Sequence, residues 1–164
     1  MVVPVVGLVV TGLVAAGCGG GGHSYKAGTP AVTGVAPDCS AVPLDLAAKT
    51  LDLPITGPTA QPRPSGFSCT FPRAKGAGAA LEVVQLNGNV TPENFAVIRD
   101  GMKAANNPVK KISGWGDEAY AASVHFVAIE NIFAVRKGRV AVVIESTADF
   151  DHIKKLMKAL LAKL

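Results

Sequence analysis

The string Gly114-Trp115-Gly116-Asp117-Glu118-Ala119-Tyr120 concentrates more chemistry than any other stretch of the chain. A lone Trp between glycines, beside two carboxylates and a Tyr, could form a binding lip. Trp115, Asp117 and Tyr120 would then be its ligand or partner contacts. The plainer and favoured reading is a tight loop into a strand, where the glycines supply special backbone angles and Trp115 closes the core. Asp117 and Glu118 could serve as acid and base, but neighbours on a strand point to opposite faces and do not converge. The three histidines, His23, His125 and His152, form no H-E-x-x-H and have no partner at ligand spacing. Neither a metal nor another cofactor is expected. Ser68 and Ser113 lack a recognisable His-and-acid setting, and no G-x-S-x-G elbow occurs. Lys75-Gly76-Ala77-Gly78-Ala79 is glycine-rich without the ending of a phosphate loop, and reads as a turn. The net charge of +4 is spread along the chain rather than gathered into a basic patch with aromatics, so nucleic acid is not an expected partner.

Residues 1–16, MVVPVVGLVVTGLVAA, are apolar and uncharged. They are too few, and too broken by Pro4, Gly7 and Gly12, for a spanning helix of about 20 residues. They fit the apolar region of a secretory signal ending in small residues. Ala15-Ala16-Gly17 directly before Cys18 resembles a lipobox, which implies cleavage before Cys18 and transfer of a diacylglycerol to its thiol. No Lys or Arg precedes the apolar run, which places the expected true start upstream of Met1. Residues 19–37, GGGGHSYKAGTPAVTGVAP, have the Gly, Pro, Ser and Thr content of a flexible tether, with Thr29 and Thr33 as candidate sugar acceptors. The bare linker is the favoured reading there.

With Cys18 taken by lipid, Cys39 and Cys69 remain. An even remainder in an oxidising compartment implies a disulfide. Closing a loop of that length stabilises by roughly 3–4 kcal/mol in the chain-entropy picture. No C-x-x-C is present, and neither cysteine has a ligand neighbour, so redox and metal readings fail.

The elements that must position these residues follow from periodicity. Residues 42–54 carry an approximate helical stripe between Pro43 and Pro54, and 55–66 read as a loop. Alternation gives strands at Phe67–Phe71 and Ala80–Leu86. Thr91-Pro92-Glu93 opens a helix with Phe95, Ile98, Met102 and Ala105 on one face. Residues 112–116 read as a connector and 118–122 as a strand. Val124–Ile129 and Asn131–Arg136 are either a hairpin turning at Glu130-Asn131 or one bulged strand. Arg139–Glu145 is Val-rich. Thr147 or Asp149 then caps a helix whose stripe is Phe150, Ile153, Leu156, Met157, Leu160, Leu161 and Leu164. That helix should cover the sheet rather than lie on a membrane.

The expected fold is α+β: an antiparallel sheet of about five strands, with two or three helices packed mainly on one face. Its expected organisation is a signal peptide at 1–17, a lipidated tether at 18–37 and one domain at 38–164. The chain also resembles a family of actinobacterial secreted lipoproteins whose domain has no assigned function. The resemblance rests on Ala15-Ala16-Gly17-Cys18 and the tether, Asp38-Cys39 opening a helix, Gly66-Phe67-Ser68-Cys69-Thr70-Phe71, the Trp115 string, and a turn at Val135-Arg136-Lys137-Gly138. It implies an envelope location, one disulfide and an α+β domain, and supplies no catalytic residues. The expectation is a non-enzymatic binding or accessory protein, lipid-anchored on the outer face of the plasma membrane and facing the cell wall. Its partner would be an envelope lipid, glycan or protein. The alternative is an envelope hydrolase with an unrecognised site. A deep apolar cavity would favour carriage, and a Ser or acid within about 3 Å of a His would favour hydrolysis.

Overall fold

The computed structural model describes residues 39–63, 65–76, 78–104, 107–125 and 129–164, with the backbone alone at 104, 125 and 129. The expected signal segment, Cys18, His23, the expected tether and the His125 side chain therefore lie outside what is described. Helices α1 (Leu44–Leu51), α2 (Pro92–Ala104) and α3 (Phe150–Leu161) accompany seven strands. These are β1 (Thr59–Arg63), β2 (Gly66–Pro72), β3 (Ala79–Leu86), β4 (Val109–Lys111), β5 (Glu118–His125), β6 (Ile129–Lys137) and β7 (Val140–Ser146). They form one antiparallel sheet in the order β1-β2-β3-β7-β6-β5-β4.

The α+β class stands, with seven strands in place of about five. The two additions are the edges. β1 is exposed along its whole length and contains Pro62, which only an edge tolerates. β4 has three residues, two of them lysines. Neither has a buried face to impose apolar alternation. Glu130 and Asn131 lie within β6, paired antiparallel with Val124 and Ser123 of β5, so they are neither the turn of a hairpin nor the bulge of one continuous strand.

Both faces of the sheet are apolar, and the helices divide between them. α1 and α3 cover the first face, where Ala47, Leu51, Ile153, Leu156 and Met157 pack on Phe71, Leu81, Val83, Phe133, Val142 and Ile144. α2 departs from the expected side and covers part of the second face, with Phe95 and Met102 against Tyr120, Ala122, Ile132, Ala134 and Val143. Successive apolar residues in β7 (Ala141, Val142, Val143, Ile144) alternate between the two cores, so each strand needs cover on both sides.

Local signals set the helix ends. Asp149 caps α3 by accepting from the backbone N–H groups of Asp151 and His152 at 3.0 and 2.9 Å. Thr91 accepts from Asn94 N–H at 3.2 Å at the start of α2. The left-handed Asp52, at φ 53°, closes α1. A one-turn 3-10 helix at Cys39–Ala41 precedes α1, and the Cys39–Cys69 disulfide ties it to β2 with Cα atoms 5.8 Å apart. That distance suits a bridge. Among the described residues, no helix is long and apolar enough to cross a membrane.

Candidate functional site

The Gly114–Tyr120 string is split by the sheet. Gly114 and Gly116 both have positive φ, and a Cβ on Gly116 would lie 2.3 Å from Arg136 O. The loop therefore admits only glycine there. Trp115 turns to the first face, half-buried and edge-on to Phe133 at 5.1 Å. Tyr120 turns to the second face and stacks on Phe95 at 5.6 Å. Trp115 and Tyr120 thus lie on opposite sides of the sheet.

What the string does assemble is an ionic network at the start of β5. The Asp117 carboxylate accepts from Gly138 N–H at 2.7 Å and pairs with Arg136 at 3.1 Å, which ties the loop to the β6–β7 turn. Glu118 lies 3.9 Å from Arg136 Nε and accepts the Tyr120 hydroxyl hydrogen. Arg99 of α2 donates to Tyr120 Oη at 3.4 Å. Burial and the bond to Glu118 raise the Tyr120 phenol above its ordinary range. This arrangement joins α2, the loop and the turn, and its polar groups are largely spent on one another.

The second face offers a different site. α2 lies against the β5, β6 and β7 side of that face, while an open groove of about 460 Å³ runs over its other side. Arg63, Ser65, Glu82, Val84, Leu86 and Glu145 line it. Its floor is apolar through Val84 and Leu86. Its walls are ionic: Arg63 pairs with Glu82 at 3.1 Å and donates through Nε to the buried Ser68 hydroxyl at 3.3 Å. Glu145 stands directly across from Glu82 in the β3–β7 register. Among the described residues, no hydrogen bond or ion pair reaches its carboxylate. Burial, then the charges of Glu82 and Glu130, hold the Glu145 carboxyl above the ordinary glutamate range, against a smaller pull from Arg63. A smaller recess of about 150 Å³ adjoins, lined in part by Glu82, Glu130, Glu145 and Thr147.

Chemically, this trough can hold an apolar group on its floor and accept hydrogen bonds or a cation at Glu145. No motif or adjacency in the sequence marks it. Glu82 and Glu145 lie on strands that only the register brings together. The one available signal was that each is a lone acid within an otherwise apolar strand, at a position facing away from the first core.

Of the histidines, His152 has its Nδ1 2.9 Å from Asp149 Oδ2. Hydrogen bonds from His152, backbone first and then side chain, lower the Asp149 carboxyl below its ordinary range. The same Asp149 is the cap of α3, and its carboxylate is largely exposed. The contact is a product of helix capping, so the short acid–His distance does not of itself mark a catalytic site. No group of three or more His, Cys, Asp or Glu could hold a metal ion among the described residues. No protein-family model matches the chain, and no curated protein matches its sequence.

Proposed function

We propose that the protein is a lipid-anchored, extracytoplasmic binding or accessory protein of a bacterial envelope, held to the membrane through Cys18, and that the groove beside Glu145 is its binding site. The observation that carries the reading is the uncovered side of the second face. It combines an apolar floor with a mostly buried glutamate that, among the described residues, no cation pairs with. A carboxylate in that state is stabilised by a ligand that brings a hydrogen-bond donor or a positive charge. The disulfide supports the address, since such bonds persist in oxidising compartments, and it leaves Cys18 as the only other cysteine. The lipobox-like Ala15-Ala16-Gly17 and the resemblance to actinobacterial secreted lipoproteins support the anchor. An envelope lipid, glycan or protein segment remains the ligand class.

Native mass spectrometry of the detergent-extracted protein tests the groove. Wild-type protein should retain a bound adduct that Ser65→Trp, which fills the groove from an exposed turn position, releases. An adduct equally present in both proteins would refute the groove as the site. A second reading, hydrolysis, has one observation in its favour. Two carboxyls face each other across neighbouring strands, one held by Arg63 and the other raised in pKa, as in an acid and nucleophile pair. Release of reducing sugar from envelope glycan by wild type but not by Glu145→Gln would replace binding with hydrolysis.

A further inference from the structure

The sheet register divides the charged surface into two unlike ends. At one end lie the β6–β7 turn, the β3–α2 connection and the C-terminus of α3. Lys137 Nζ donates to Leu161 O at 3.2 Å, and Val90 N–H donates to Arg139 O at 3.2 Å. Lys137, Arg139, Lys158 and Lys163 gather there, and no carboxylate pairs with any of the four among the described residues. Of the acids at this end, Asp117 and Glu118 face Arg136, which leaves Asp45 and Glu93. The opposite end holds Glu130 at the start of β6, Glu145 at the close of β7 and Asp149 and Asp151 at the start of α3, against Arg73, Lys75, Lys49 in the last turn of α1, and Lys154, which pairs with Asp151 at 3.4 Å. The helix dipole explains cations in the last turn of α3. It does not explain Arg139, which belongs to a strand turn.

The chain also enters the domain at the basic end. Lys163 Nζ donates to Ala41 O at 3.4 Å, two residues beyond Cys39, and α1 then runs toward the far end, where Ile55 bridges Arg73. We propose that this basic end is a membrane-facing surface: Lys137, Arg139, Lys158 and Lys163 rest on anionic phospholipid headgroups and turn the charge-balanced opposite end outward. The inference rests on the lipid-anchored reading of Cys18. Twenty residues separate Cys18 from Cys39, so the linkage limits the domain to within about 70 Å of the anchor without choosing its orientation. Surface charge supplies the choice. Each Lys or Arg near an anionic surface contributes about a fivefold preference. Four cations less Asp45 and Glu93 leave about a 25-fold bias toward the basic-end-down orientation.

The test uses the full chain as purified from producing cells, bound to vesicles of phosphatidylcholine with one quarter phosphatidylglycerol, or of phosphatidylcholine alone. A fluorophore is placed at Asn89→Cys, on the basic end, or at Lys75→Cys, on the opposite end, and quenched by nitroxide-labelled headgroups. In anionic vesicles the Asn89 probe should be quenched severalfold more than the Lys75 probe. The ratio should approach one in neutral vesicles, in 0.5 M salt, and in Arg139→Gln/Lys158→Gln. Equal quenching in anionic vesicles, or a ratio indifferent to lipid charge, would overturn the proposal. Flotation with neutral vesicles reads the anchor separately. Protein that fails to float lacks the lipid, and the orientation is then read from sedimentation with anionic vesicles, which the double variant should weaken at least severalfold. Unchanged sedimentation would overturn it as well.

Discussion

Replacing Glu145 with Gln should make the protein more stable at pH 7, because the glutamate stands where its charge is unwelcome. The carboxylate is mostly buried, lies across from Glu82 in the register, and has no partner among the described residues. Like charges placed directly opposite on neighbouring strands cost roughly 0.2–1 kcal/mol, and Gln keeps the shape while removing the charge. A gain of about 0.5–1 kcal/mol in a domain of this size raises Tm by roughly 2–5 °C. The sign with pH follows from linkage. Glu145 has its folded pKa raised above the unfolded value, so the native state binds more protons between the two. Wild type therefore loses stability as pH rises through that window, and the Gln variant does not. The difference between variant and wild type should be near zero below the ordinary glutamate range and full at pH 7. Urea unfolding of both proteins at pH 3.5 and pH 7 measures it. A variant less stable than wild type at pH 7, or a gain of equal size at both pH values, would refute the placement of Glu145. A side chain that costs stability where it stands is what a binding or catalytic position looks like.

Three further tests probe the frame of the fold. Leu156→Ala empties a fully buried position between α3 and the sheet and should cost about 2–5 kcal/mol, read as a lower urea midpoint, while the exposed Lys155→Ala leaves the midpoint in place. Gly116→Ala meets both a positive φ of 52° and the Arg136 carbonyl, and should cost at least about 1–3 kcal/mol by thermal unfolding; a neutral result would contradict the loop geometry. Replacing both Cys39 and Cys69 with Ser should lower stability by about 2–4 kcal/mol, and peptide mapping without reductant should recover one linked Cys39–Cys69 pair from wild type.

Elements with a buried stripe are legible in the sequence alone. The cap and stripe of α3, the Thr91-Pro92 start of α2, and the alternation in β2 and β3 all follow from one face meeting a core. β1 and β4 were not legible, because an exposed edge has no such face; Pro62 and the Lys110-Lys111 pair look like loop. The side taken by α2 was in principle readable. Unbroken apolar runs such as Ala141–Ile144 mean that a strand is covered on both sides, and only a second helical layer can do that. The Trp115 string drew attention because its residues are adjacent in sequence, yet strand alternation sends Trp115 and Tyr120 to opposite faces. Glu82 and Glu145 were missed for the converse reason: their encounter depends on the pairing of β3 with β7, which no local pattern encodes.

The proposed envelope address depends on lipidation of Cys18, and the intact mass of the native, detergent-extracted chain tests it most directly. The expected mass begins at Cys18 and carries a diacylglycerol, and Cys18→Ser should accumulate as uncleaved precursor without labelled fatty acid. A native chain that retains residues 1–17, or that begins at Cys18 with no added lipid, would contradict it.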